Sequence, residues 1–133
     1  MDYNVKTRIL LATNFNTSEF NDLMYESAKP EIIEDIKSVI EQDSTLPKYI
    51  DENLTFRFLS NYKVLLKYQF NCNDESEAEA EGFAKSCVED IRTELEEKGY
   101  RIERVSCTAE EMDMEWLDKL EDMLFPKRTQ QSL

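Results

Sequence analysis

The sequence contains no histidine at all. That removes the side chain used most often for acid–base work near neutral pH and the commonest metal ligand. Neither a Cys–His pair nor a Ser–His–Asp triad can be built within this chain. Glycine is almost as scarce, with Gly82 inside a helical stripe and Gly99 at a helix end. No glycine-rich loop exists to cradle a phosphate, which excludes the P-loop and the dinucleotide-binding turn. The three cysteines, Cys72, Cys87 and Cys107, are odd in number and far apart. They fit neither a disulfide scaffold nor a paired zinc motif, and read as buried or half-buried thiols in a reducing compartment. No apolar run approaches the ~20 residues needed to cross a bilayer. Residues 1–4 show no basic segment followed by an apolar core, so no secretory signal is expected and a cytoplasmic location is.

What remains is a 133-residue chain, 41% hydrophobic and 34% charged, with a net charge of −13. The length suits one domain, and the apolar fraction suffices for a packed core rather than a disordered chain. A single α+β domain over residues 1–126 is expected, with a frayed tail over 127–133. The acidic excess opposes nonspecific contact with nucleic acid or anionic membrane. Carboxylate runs such as Asp74-Glu75-Ser76-Glu77 and Glu110-Glu111 fall where helices should start, and there the helix dipole favours negative charge. They lack the glycine and ligand spacing of a calcium loop. No metal, no cofactor and no catalytic activity are expected.

Residues 3–13 alternate apolar and polar side chains, as a strand does. Residues 19–42 change to helical spacing, interrupted at Lys29-Pro30, which predicts a kinked or two-piece helix. Leu54, Phe56 and Phe58 alternate again, Ser60-Asn61 supplies a turn, and Val64, Leu66, Tyr68 and Phe70 complete a hairpin. Asp74 and Glu77 have capping-box spacing ahead of the stripe Ala80, Phe83, Ala84, Cys87, Val88, Ile91 and Leu95, closed by Gly99. Residues 100–107 read as a strand. Thr108 and Glu111 read as a second capping box, opening a last helix up to Pro126. The order is strand, helix, strand, strand, helix, strand, helix. Its first six elements follow the ferredoxin-like βαββαβ pattern, a four-stranded antiparallel sheet with helices on one face and an extra C-terminal helix.

Charge is unevenly placed along this order. The C-terminal half of the helical sequence is heavily acidic, whereas Lys6, Arg8, Arg57, Lys63, Lys67, Arg101 and Arg104 fall in expected strands, with Glu103 the lone acid. Alternation places Lys6, Arg8, Arg57, Lys63 and Lys67 together on the sheet face turned away from the helices. That basic face is the first candidate site. RNA-recognition domains of ferredoxin-like order read single strands from this surface with aromatics and a glycine. Residues 63–70 lack the glycine and the aromatic spacing of that motif, and their large aromatics fall in register with the core face, so nucleic acid is not the expected partner, and neither is a membrane. A second candidate is the stripe Met112, Trp116, Leu120 and Met123, an apolar patch of the kind that marks an interface if left uncovered. The expected role is a non-catalytic interaction or regulatory protein that self-associates, most simply as a homodimer. The alternative is an acidic inhibitor that imitates nucleic acid and occupies a basic protein partner.

Overall fold

The computed structural model describes residues 1–13, 21–42, 50, 54–112 and 123. Its elements are β1 (Asp2–Ala12), α1 (Asn21–Gln42), β2 (Thr55–Phe58), β3 (Lys63–Asn73), α2 (Glu77–Glu97) and β4 (Arg101–Glu111). The four strands form one antiparallel sheet in the order β2-β3-β1-β4. Over the described elements the chain is therefore α+β, with a four-stranded open sheet and the two helices α1 and α2. Among the described residues no helix is long and apolar enough to cross a membrane.

One face of the sheet is sealed. Tyr3, Val5, Ile9 and Leu11 of β1 and Val64, Leu66, Tyr68 and Phe70 of β3 are all buried. They meet Ile32, Ile36, Val39 and Ile40 from α1 and Ala80, Ala84, Cys87, Val88, Ile91 and Leu95 from α2 in a single cluster. Period two in the strands and period 3.6 in the helices thus converge on the same core. The helices are joined at one end by the Tyr100 hydroxyl, which donates to Asp35 at 3.0 Å. At the other end Tyr25 of α1 donates to the Lys63 carbonyl at 3.1 Å, and its ring meets Phe58 and Tyr62 edge-on.

Three details differ from the sequence reading. First, α1 is one helix that runs through Pro30 rather than two pieces. Proline removes a single backbone donor there. Before the proline, Lys29 sits 5.1 Å over the Phe58 ring and 5.5 Å over Tyr25, and beyond it Ile32, Ile36, Val39 and Ile40 are buried in the core, so packing holds the helix on both sides of the interruption. Second, the N-cap of α2 is Ser76, not Asp74. Its hydroxyl accepts from the Glu79 amide at 3.2 Å, and the Glu79 carboxylate accepts from the Glu75 amide at 3.2 Å. A serine three residues before a glutamate outcompetes the same spacing built on Asp74 and Glu77, because β3 continues to Asn73 and leaves no room for an earlier start. The far end closes as expected. Gly99 has φ 97, its amide donates to Glu96 and the Tyr100 amide to Leu95, the double bond of a Schellman end.

Third, Thr108 and Glu111 do not open a helix, because both lie within β4. Cys107 and Ala109 continue the buried alternation, and Val5↔Ala109 and Tyr3↔Glu111 continue the ladder with β1. Ladder hydrogen bonds and core burial outweigh a local cap. The remainder of the expected C-terminal helix and the tail over 127–133 lie outside the described residues, Met123 excepted. So do Thr17 and Ser18, either of which has the chemistry to N-cap the helix that the sequence spacing places over residues 19–42.

β4 also carries a bulge. Leu10 faces Arg104 and Leu11 faces Ile102, leaving Glu103 as the extra residue. That single insertion decides which side chains β4 presents on each face.

Candidate binding face

On the face away from the helices, the pairing register lays side chains in rungs across the sheet. From one end they run Lys63–Ala12–Arg101, then Arg57–Leu65–Leu10–Arg104, then Thr55–Lys67–Arg8–Ser106, then Gln69–Lys6–Thr108. The next rungs, Asn71–Asn4–Glu110 and Asn73–Asp2, carry no cation and one carboxylate each. All five residues of the first candidate site, Lys6, Arg8, Arg57, Lys63 and Lys67, stand on this one face. Among the described residues no element covers it.

The bulge adds two cations that alternation alone separates. Residues 101 and 104 differ by an odd number, so a regular strand would send them to opposite faces. With Glu103 inserted, Arg101 and Arg104 both fall in rungs of the open face, while Ile102 and Val105 both face the helices. The signal was present in the sequence: two apolar residues three apart break period two, and a bulge restores it. Seven of the chain's 16 basic residues thus lie on one face of one sheet.

The opposite layer is acidic. α2 carries eight acids against two bases in its 21 residues. Two of the bases that the helices hold are committed locally: Arg92 to Glu89 at 2.8 Å and Lys29 to Glu26 at 2.7 Å. The molecule therefore presents cations on one side and carboxylates on the other, and its total charge conceals this polarity.

The cations of the face fall into two groups. Lys63 reaches over the small Ala12 to Glu103 at 2.6 Å, and Arg101 lies 3.9 Å from the same carboxylate. The Lys63 ammonium, foremost, holds the Glu103 carboxyl below its usual range. Lys6, Arg8, Arg57, Lys67 and Arg104 have no carboxylate partner among the described residues. Arg8 and Lys67 are direct cross-strand partners, an arrangement in which like charges are destabilising.

Two depressions mark the face. A cavity of about 200 Å³ is lined by Lys6, Arg8, Lys67, Thr55 and Gln69. A wider one of about 470 Å³ is floored by Leu10 and Leu65 between Arg8 and Arg104. Arg8 borders both. Among the described residues no cluster of three potential metal ligands occurs.

The second candidate site is only partly described. Met112 is half-buried just beyond β4, and its amide donates to the Asp2 carbonyl at 2.8 Å. Met123 is 78% exposed. Trp116 and Leu120 lie outside the described residues.

The thiols are poorly suited to nucleophilic chemistry. Cys87 and Cys107 are buried and Cys72 is half-buried. Burial, and then the Asp74 carboxylate, push the Cys72 thiol from its ordinary value of 9.0 up to about 11. Because the folded value is raised, the neutral thiol is favoured below pH 9.0 and native stability is lost as pH climbs towards about 11. Alkylation of the native protein should therefore stay slow at pH 8 and reach half its limiting rate near pH 11 for Cys72. An ordinary thiol rate at pH 8 would contradict the geometry at this strand end.

Comparison of the chain with family models, curated proteins and solved structures finds no match in any of the three.

Proposed function

We propose that this chain is a non-catalytic, cytoplasmic interaction or regulatory protein with a ferredoxin-like core, whose basic open sheet face binds an acidic partner. The succession βαββαβ and the strand order β2-β3-β1-β4 support the ferredoxin-like assignment. The observation that carries the functional reading is the set of cations on the open face that have no carboxylate partner among the described residues, with Arg8 and Lys67 directly opposed. A protein with 29 acidic residues could have neutralised them internally at little cost.

Self-association is part of this reading, and the charge pattern restricts its form. Two open faces meeting symmetrically would bring Lys6, Arg8, Arg57, Lys67 and Arg104 against their own copies, a repulsion of several kcal/mol that juxtaposed like charges impose. The surface on a second copy that fits is the helical layer, sheet to helix, which is a heterologous contact. Pairing along the β4 edge is opposed at one point by Glu81, whose carboxylate accepts from the outward Ala109 amide at 3.1 Å.

Sedimentation of the full chain at low and high salt tests the reading. Complexes should form at about 50 mM salt and dissociate at about 500 mM, where the Debye length drops to a few ångströms. Association that ignores salt would overturn it in favour of an apolar interface through Met112, Trp116, Leu120 and Met123.

The alternative, an acidic mimic of nucleic acid, draws on the exposed carboxylates Glu77, Glu89, Asp90, Glu94 and Glu97 along α2. Under that reading a basic protein partner is lost by reversing charges on α2 and kept when Arg8 and Lys67 are reversed.

A further inference from the structure

We infer that the cavity bordered by Lys6, Arg8 and Lys67 is a site for the phosphate or diphosphate group of a small molecule, with the Leu10–Leu65 shelf beside it receiving that molecule's apolar or flat body. The inference deepens the binding-face reading and rests on it.

The footprint of the cations argues for a compact anion. Lys6 and Arg8 are two residues apart on β1, which spans roughly 7 Å, and Lys67 sits one strand away, about 5 Å to the side. Three positive charges within that area converge on one or two phosphoryl groups. Thr55, in the same rung as Lys67, and Gln69, opposite Lys6, add neutral hydrogen-bonding groups to the same 200 Å³ cavity. Arginine contributes a planar fork that matches two phosphate oxygens, and the lysines contribute rotatable donors.

An extended polyanion fits less well. Two rungs beyond Arg8 the face carries Glu110 and Asn4, and then Asp2. A strand of nucleic acid following the sheet would run from cations onto carboxylates within three rungs. A small anion stays inside the positive zone.

The apolar shelf gives the second half of the ligand. Leu10 and Leu65 are direct cross-strand partners, half-buried, and flanked in their own rung by Arg57 and Arg104. Apolar side chains between two guanidiniums form a surface on which a flat ring can lie while the arginines pack at its edges. Arg8 joins this shelf to the anion cavity. A ligand that binds there also occupies the ground needed by an acidic protein surface, so it competes with self-association.

Calorimetric titration at fixed ionic strength tests the site, with inorganic pyrophosphate and ADP as probes and polyglutamate as the protein-like anion. Both phosphate probes should bind, ADP more tightly. Arg8→Gln and Lys67→Gln should each weaken binding by about tenfold, the scale of one charge-assisted hydrogen bond. Arg92→Gln, on α2, should leave binding unchanged. Binding that survives both open-face substitutions would overturn the assignment, as would tighter binding of a short single-stranded oligonucleotide than of ADP. Polyglutamate binding with no response to either phosphate probe would discard the phosphate site and keep the binding face. Silence from all probes, with a chain that stays monomeric at low salt, would discard both.

Discussion

Replacing Phe70 with alanine should cost the protein about 3–5 kcal/mol, as truncation of a fully buried aromatic does. Phe70 is 1% exposed and stands opposite Val5 in the central strand pair of the sheet. Its ring stacks with Tyr68 at 6.3 Å and meets Phe83 edge-on at 5.9 Å. The truncation would remove the ring that joins β3 to α2 and leave a void where two partners lose contacts at once. A domain with a total stability of about 5–15 kcal/mol would forfeit a large share of it. In urea the midpoint should fall by roughly 2 M, given slopes of about 1–3 kcal/mol per molar. Phe83→Ala is the internal comparison. That ring is 39% exposed, so its loss should cost markedly less. Equal effects at the two positions would mean that the sheet and α2 do not pack as described.

Reversing both Arg8 and Lys67 to glutamate should abolish binding at the open face, a loss of at least about a hundredfold from two direct charge contacts turned repulsive. The native fold should survive, because Arg8 is exposed, Lys67 is only half-buried, and neither belongs to the core cluster. Sedimentation of the double variant at low salt, with the helical spectrum recorded alongside, gives both answers. A folded variant that still associates as the parent does would place the interface elsewhere, the α2 carboxylates being the next surface to reverse.

How far the sequence disclosed this arrangement differs from element to element. The alternation of β1, β2 and β3 is regular, so the sealed face and the five cations opposite it follow from period two alone. The rest depended on contests that local patterns do not decide. Pro30 looked like an interruption because only the backbone rule was visible, whereas the partners that α1 packs against, Phe58 before the proline and the sheet core beyond it, come from distant parts of the chain. Thr108 and Glu111 had the spacing of a cap, and only the partner strand β1 makes them part of a ladder. Arg101 and Arg104 could not be assigned to one face without the bulge at Glu103. The direct opposition of Arg8 and Lys67 is a matter of register between β1 and β3, strands that no short turn joins, so local patterns do not disclose it.

That opposition supports the central claim, that the cations of the open face are kept for a ligand and not for the fold. Cross-strand like charges are destabilising, and an opposite-charge pair in the same place contributes roughly 0.2–1 kcal/mol. More distant carboxylates are screened beyond about 8 Å at physiological salt, so the local pair should dominate. The most direct measurement is therefore the urea unfolding midpoint of Lys67→Glu at physiological salt, without ligand. The account predicts a higher midpoint than that of the parent chain, since Arg8 gains an opposed carboxylate. A lower midpoint would mean that Lys67 serves the stability of the sheet, and would contradict the claim that this face is held ready for binding.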